Sequence, residues 1–280
     1  MKKLLFFASL FALAACTNDV KEEQSVTDET TTVTIGFSGF QIEQTAMSRA
    51  AISVTDYTTH LDIWIYESGN EFASFHQATG DEGFGSLSVT LSLAKTYTLY
   101  AVAHKANGPA TLSDGVISFV DDKVTHSFFV KQTFTPTKGM SLNLTMNRIV
   151  AQFQFTTADA VPDWCKTMRF TISNVYDRWN VNTGGTHQLD RVSTFQNFST
   201  KADGTVTFNI YAIVTDASTN HDILIEGLNE DGDVLEYHTL TDVPLRNGYK
   251  TVATGAFFTD AASSFSFKAE DWIGNIVYDF

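Results

Sequence analysis

Residues 97–103 read YTLYAVA, and this stretch decides the fold class. The segment is apolar on both faces of an extended chain, and aromatic and β-branched side chains of this kind fit a pleated surface. A strand that is apolar on both faces is covered on both sides by other parts of the molecule. The stretch therefore predicts a central strand inside a layered β-structure.

Alternating segments continue the strand pattern on both sides of this stretch. In each of them one face is apolar and the other is mixed or polar, as expected of half-buried strands: residues 33–37 (VTIGF), 61–65 (LDIWI), 87–93 (LSVTLSL), 149–155 (IVAQFQF) and 206–211 (VTFNIY). Residues 223–228 and 233–237 flank a tight turn at 229–232 (NEDG), which predicts a hairpin. Because no stretch holds a long period of 3.6 residues, the sequence predicts an all-β chain of β-sandwiches.

Changes in composition divide the chain into four parts. Residues 17–32 are polar and acidic, and such a segment buries too little surface to offset its ordering entropy. The polar turn at 135–139 (TPTKG) precedes a restart of the alternation after Asn147. The predicted parts are a signal peptide at 1–15, a flexible tether at 16–32, an N-terminal β-sandwich at 33–146 and a C-terminal β-sandwich at 147–280, each sandwich of ordinary domain size.

The N-terminal leader predicts export and lipidation. Lys2 and Lys3 precede an apolar stretch that is too short to span a membrane, and residues 13–16 (LAAC) resemble a bacterial lipobox. In such a sequence Cys16 receives a diacylglycerol and becomes the first residue of the mature chain. Acyl chains such as palmitate contribute about 0.8 kcal/mol for each buried CH₂, so several of them anchor a protein durably. The alternative is an ordinary signal peptide that is cut elsewhere.

Charge and cysteine content narrow the classes of partner. The formal charge of −14 becomes −16 when Lys2 and Lys3 leave with the leader, and an acidic surface repels nucleic acid. If Cys16 carries lipid, Cys165 has no disulfide partner, which predicts a buried and inert thiol. Stability must then come from burial of apolar side chains.

The sequence offers no catalytic, metal-binding or cofactor-binding motif. Its seven histidines are scattered rather than placed at metal-ligand spacing, and the acidic turn near Asp231 lacks the further ligands of a calcium loop. Four tryptophans could stack on sugar rings or fill the cores of sandwiches, and the alternation around Trp64 favours the core. We therefore expect a protein that is not an enzyme and that has no cofactor.

Five features in order resemble the fimbrillin family of lipoprotein pilins. They are a lipobox leader, a first strand followed by an isolated arginine, and three segments at 97–104 (YTLYAVAH), 146–151 (MNRIVA) and 243–250 (VPLRNGYK). The resemblance covers the whole chain. It implies two transthyretin-like, Greek-key β-sandwich domains in a subunit of surface fimbriae, which is either a structural subunit or a related anchor or tip subunit.

The resemblance also implies assembly by strand exchange. A trypsin-like protease that cuts after arginine removes the first strand of structural subunits in this family, and Arg49, followed by Ala50, fits that role. Arg49 is the only Lys or Arg between Lys21 and Lys95, although it could equally be a solvated loop residue.

The predicted strand-exchange core and the incoming strand follow from this assignment. Val33, Ile35 and Phe37 alternate on one face of the first strand and should cover the N-terminal core. The candidate donor strand is the C-terminus, where the side chains on one face are Ile276, Tyr278 and Phe280. Residues 265–268 are a second alternating segment that could instead complete its own sandwich.

The sequence thus predicts a fimbrial subunit at the outer membrane and cell surface, tethered there by its lipid. Its partners would be other fimbrial subunits and a receptor on a host or bacterial surface, and nucleic acid is excluded. The alternative is a surface lipoprotein that binds glycans through an aromatic platform.

Overall fold

The computed structural model describes residues 29–40, 57–215, 217–259 and 266–271. Strands dominate these residues, which contain no α-helix and a single 3₁₀ turn at Val120–Asp122. None of the described segments forms a helix long and apolar enough to cross a membrane. The all-β prediction is confirmed, as is the β-sandwich architecture.

Of the described strands, nine precede residue 149. They are β1 (Thr30–Phe40), β2 (His60–Glu67), β3 (Asn70–Ala78), β4 (Ser86–Ser92), β5 (Tyr97–His104), β6 (Thr111–Ser113), β7 (Val116–Ser118), β8 (Ser127–Phe134) and β9 (Ser141–Arg148). Seven of them form one sheet in the order β3-β2-β5-β8-β9-β1-β4. This sheet folds over where Phe128 of β8 pairs with Arg148 of β9, so that β4-β1-β9 packs against β3-β2-β5-β8. We call this unit the N-terminal sandwich.

The described strands after residue 149 are eight in number. They are β10 (Ala151–Thr157), β11 (Thr167–Asn180), β12 (Gly184–Gln196), β13 (Thr207–Ala212), β14 (Thr219–Leu228), β15 (Val234–Leu245), β16 (Tyr249–Gly255) and β17 (Ser266–Asp271). One layer has the order β13-β10-β16-β17, and the other contains β15, β14, β11 and β12. An aromatic-rich core that includes Phe153, Phe170 and Phe208 lies between them.

The central strand expected at 97–103 is β5, and this prediction is confirmed. β5 pairs with β2 on one side and with β8 on the other. Leu99, Ala101 and Ala103 enter the core of the N-terminal sandwich, while Val102 on the opposite face joins a third cluster of buried side chains. Both faces are therefore covered, as the composition of the stretch requires.

The third cluster, which we call the junction core, joins the two halves of the chain. The β6–β7 hairpin lies early in the sequence but pairs with β11, where Ile117 is opposite Trp179. The chain passes from β9 to β10 through Ile149 and Val150, which are buried in the same cluster. The division into domains at 146/147 stays a prediction. The change from the first set of strands to the second falls at Ile149 and Val150, between β9 and β10.

β1 is longer than the sequence pattern predicted. It begins at Thr30 instead of Val33, because Thr30, Thr31 and Thr32 pair with the last residues of β4. The last three residues of the predicted tether are therefore part of the sheet. The three threonines were assigned to the tether because they are polar, although threonine is a favourable strand residue.

Candidate strand-exchange groove

The first strand of the chain lies inside a sheet and not at its edge. β1 pairs with β4 in antiparallel register, with Val33 opposite Val89 and Ile35 opposite Leu87. On its other side it pairs with β9 in parallel register, with Phe37 opposite Leu144. Both backbone edges of β1 are thus hydrogen-bonded, although residues 41–59 separate it from β2 along the chain.

One face of β1 closes the core of the N-terminal sandwich. Val33 and Ile35 are 0% exposed, and Phe37 is 6% exposed. Full burial of such side chains contributes about 1.5–3 kcal/mol each, which sums to roughly 5–9 kcal/mol as an upper bound. The walls on either side are apolar as well and consist of Leu87, Val89, Leu91, Leu144 and Met146. We call the space that β1 fills, between β4 and β9, the β1 groove.

Contacts at both ends fix the position of β1 in this groove. The backbone N–H of Phe37 donates to the carbonyl of Gly85 at 2.9 Å, and the N–H of Leu93 donates to the carbonyl of Glu29 at 2.8 Å. The Glu29 carboxylate forms an exposed ion pair with Lys138, which contributes little in water. The strand is therefore held by its ladders and its apolar face.

The other predicted site residues lie outside the described residues. They are the lipidation residue Cys16, the processing residues Arg49 and Ala50, and the donor residues Ile276, Tyr278 and Phe280. Their roles stay predictions. Residues 266–271 form β17, which pairs with β16 of the same chain, so that the second alternating segment completes its own sheet from Ser266 onward.

A polar cluster at the end of β9 links the two halves and was missed from the sequence. Arg148 Nη1 donates to His126 Nδ1 at 2.9 Å, and His126 Nε2 is 2.8 Å from the hydroxyl of Tyr211. The Arg148 guanidinium also lies 4.3 Å from the ring centroid of Phe128. The sequence signal that could have indicated this cluster is Arg148, a single arginine in the segment 146–151 between two strands with apolar faces.

Burial shapes the protonation of this cluster. It lowers the pKa of the Arg148 guanidinium to about 9, which remains above neutral pH, so Arg148 stays a charged donor. Burial first, and then the positive charges of Arg148 and Lys105, lower the pKa of His126 to about 4. At neutral pH His126 is therefore uncharged, with Nδ1 accepting from Arg148 and Nε2–H donating to Tyr211.

We expect this cluster to make the protein less stable as the pH falls from about 6.5 to about 4. The pKa of His126 is lower in the folded state than the ordinary value of 6.5, so the unfolded chain binds the extra proton in this window. The full shift corresponds to about 3 kcal/mol, and partial exposure of His126 reduces the expected loss to about 2 kcal/mol. The measurement is urea unfolding at a series of pH values.

The matched control for the pH series is His126→Asn. Asparagine can still accept a hydrogen bond from Arg148 but does not titrate, so the difference between variant and wild type isolates His126 from the carboxylates. Parallel stability curves for the two proteins between pH 6.5 and 5 would show that His126 does not contribute.

A second polar cluster lies on the face of β2 that points away from the core of the N-terminal sandwich. Asp62 is 2% exposed, and its carboxylate accepts from the backbone N–H of Ala110 at 2.9 Å. The same carboxylate contacts His104 at 2.8 Å and His76 at 2.7 Å. These histidines, which are far apart in sequence, thus meet around one buried acid and connect β2, β3 and β5 to the segment before β6. No group of three metal-ligating side chains occurs in the part of the chain that the structure describes.

The remaining chemical candidates occupy structural positions. Trp64 and Trp179 are 7% and 8% exposed and belong to the junction core, so neither offers a face to a sugar. Cys165 is buried, as predicted, and burial raises the pKa of its thiol. The turn at 229–232 joins β14 and β15 as a hairpin, with Asp233 N–H bonded to the Asn229 side chain at 2.8 Å.

Solved structures with the same fold come from Bacteroides and Porphyromonas species. A candidate adhesin from Bacteroides ovatus matches with a TM-score of 0.54 and 11% identity, over 85% of this chain and 95% of that chain. A protein from Bacteroides thetaiotaomicron that is described as a candidate polysaccharide-binding protein matches with a TM-score of 0.52 and 10% identity, over 88% of this chain and 98% of that chain.

A fimbrial protein is also among the structural matches. The fimbrial anchor protein Mfa2 from Porphyromonas gingivalis matches with a TM-score of 0.50 and 8% identity, over 88% of this chain and 100% of that chain. At these identities the likeness shows a shared fold, which is that of fimbrial and adhesin-like proteins. Membership of the fimbrillin family itself stays a prediction.

At the level of sequence, none of the curated proteins matches this chain. A family model does match, and it extends over residues 22–276. The matched region contains β1, the junction core and both sandwiches. The chain therefore belongs to the family of unknown function DUF6562.

Proposed function

We propose that this chain is a structural or adhesive subunit of cell-surface fimbriae that is assembled by β-strand exchange. The observation that carries the proposal is the position of β1. The strand is N-terminal in sequence and separated from β2 by residues 41–59, yet it lies between β4 and β9 and supplies three buried side chains. Such a strand is the one whose loss would open a groove along the whole sandwich.

The chemistry of the β1 groove favours refilling by another strand. Loss of β1 would expose unpaired N–H and C=O groups on both β4 and β9 and would uncover an apolar core. A strand from a neighbouring subunit, with alternating apolar side chains, satisfies both needs at once. In this proposal cleavage after Arg49 releases β1, and the segment with Ile276, Tyr278 and Phe280 is the donor.

Two further observations support a location at the cell surface. The leader before Cys16 resembles that of a bacterial lipoprotein, and the fold is shared with a fimbrial anchor protein and a candidate adhesin. The proposed protein has no enzymatic activity and acts through other fimbrial subunits and a surface receptor. If β1 is retained, the same chain serves as an anchor or tip subunit.

The test is the N-terminus of the protein in fimbriae that are sheared from the producing cell. We expect a chain that begins at Ala50, because an arginine-specific protease cuts after Arg49. The matched variant is Arg49→Lys, which keeps the charge but removes the arginine. This variant should be absent from the fibres. It should remain in the outer membrane, with lipidated Cys16 as its first residue.

If the fibres contain wild-type chains that start at Cys16, the protein is an anchor or tip subunit. Absence of the protein from sheared fibres in every form, while it is present on the cell, would contradict a fimbrial function. The alternative of a glycan-binding surface lipoprotein would then be the better account.

A further inference from the structure

A cavity of about 430 Å³ opens between the N-terminal sandwich and the β6–β7 hairpin. Its wall on one side comes from the end of β2, the turn into β3 and the start of β5. The opposite wall comes from the hairpin and the turn after β11. Its aromatic and polar lining includes Tyr66, Ser68, Thr96, Thr98, Tyr100 and Asn182. A volume of this size is within the range of about 300–1,000 Å³ that small-molecule pockets occupy.

The aromatic part of this cavity is held in place by the junction core. Tyr66 and Tyr100 meet edge to face, with ring centroids 5.5 Å apart and an interplanar angle of 80°. Both rings, together with Leu112, pack against the buried side chains of that core. Val181, which also lines the cavity, is 7% exposed. The two rings are therefore fixed before any ligand arrives, which lowers the entropy lost on binding.

Uncharged polar groups surround the two rings. Hydroxyls come from Ser68, Thr96 and Thr98, and an amide comes from Asn182. Lys131 Nζ donates to Asn182 Oδ1 at 2.7 Å and lies 5.6 Å from the centroid of Tyr100, which orients the amide at the rim. Within the described residues, no side chain or backbone group forms a hydrogen bond with the hydroxyl of Tyr66 or Tyr100. These hydroxyls remain for a ligand.

Among the described residues that line the cavity, none carries a formal charge at neutral pH. Charges of both signs lie just outside the lining: the ammonium of Lys131 is at the rim, and burial, followed by the charge of Glu71, raises the pKa of Tyr66. A charged group on a ligand would lose hydration without gaining a charged partner in the lining, whereas a neutral ligand would lose less.

We propose that this cavity binds a neutral sugar unit of a surface glycan. Fixed aromatic rings contact the C–H faces of a pyranose, and hydroxyl and amide groups exchange hydrogen bonds with its hydroxyls. The proposal does not rest on strand exchange, since none of the residues that line the cavity lines the β1 groove. It also differs from a tryptophan platform, because the aromatic residues are Tyr66 and Tyr100.

The test is saturation-transfer NMR with the full-length chain and a panel of oligosaccharides. The neutral probes are N-acetyllactosamine, chitobiose, maltotriose and mannotriose, and the anionic probe is 3′-sialyllactose. We expect transfer to the ring protons of at least one neutral probe, and weaker transfer to 3′-sialyllactose. Tyr66→Phe and Asn182→Ala should each weaken the binding at least fivefold, because each removes a polar group at the site.

The matched control is Tyr237→Phe, which removes the hydroxyl of an exposed tyrosine on β15 and should leave binding unchanged. Thermal unfolding of each variant shows that the fold is intact. The proposal is overturned if no neutral probe binds, if 3′-sialyllactose binds more tightly, or if neither cavity variant weakens the binding.

Discussion

Replacing Ile35 with aspartate should lower the free energy of unfolding by about 4 kcal/mol or more, a large part of the stability of an ordinary domain. Ile35 is 0% exposed and lies between Leu87 of β4 and Leu142 of β9 in the centre of the β1 groove. The variant loses the burial of an apolar side chain and places a carboxylate among apolar neighbours. Urea unfolding, followed by circular dichroism, measures the change.

Thr34→Asp is the matched control for this variant. Thr34 is the neighbouring residue on β1, and its side chain is exposed on the opposite face of the strand. The new charge is the same, but it remains in water, so we expect a change within about 1 kcal/mol. Similar losses in the two variants would mean that β1 does not close the core.

The local pattern of the sequence was sufficient to predict several of the strands. Alternation placed Val33 and Ile35 on one face, and a run that is apolar on both faces identified β5 as a central strand. These features depend on the two-residue period of an extended chain, which is visible without any knowledge of the neighbours. The turn at 229–232 was predictable for the same reason, since the Asp-Gly pair supplies the positive φ that Gly232 adopts.

Pairing partners could not be predicted in the same way. Asp203 and Gly204 also form a turn, with Gly204 at φ 81°, but this turn does not join two paired strands, because β12 pairs with β11 and β13 pairs with β10. Nothing in the short β6 and β7 indicates that β7 continues the sheet of β11. Register between distant strands is set by the complete set of faces that must be buried, which no local pattern contains.

The burial of polar side chains was also beyond the sequence. In β2 the alternation suggested one apolar face and one mixed face, and it favoured a buried Trp64, yet Asp62 on the mixed face is buried as well. That face is covered by the junction core, so its polar residue needed the contacts of His76 and His104. The histidines are scattered along the sequence, and they meet only because β2 pairs in space with β3 and β5.

Removal of β1 should destabilise the N-terminal sandwich severely. The chain that begins at residue 50 would keep β4 and β9 with an empty space between them, lined by apolar side chains such as Val89, Leu91 and Met146. The lost burial amounts to roughly 5–9 kcal/mol as an upper bound, comparable with the whole stability of a domain. We therefore expect this chain to take up any strand that matches the groove.

Matched peptides make this expectation specific. A peptide of residues 29–40 should restore a folded complex of one chain and one peptide. The same peptide with Ile35→Asp should fail, and the peptide with Thr34→Asp should succeed, because only the first places a charge in the core. A peptide of residues 273–280 should bind if that segment is the donor strand.

Light scattering on the chain without β1 tests strand exchange most directly. The protein is cut after Arg49, unfolded in urea, separated from the β1 fragment and refolded alone or with the peptide of residues 29–40. We expect multimers for the chain that is refolded alone, and a complex of one chain and one peptide when the peptide is present. A folded monomer that forms without the peptide, and that binds neither this peptide nor the one of residues 273–280, would contradict this expectation.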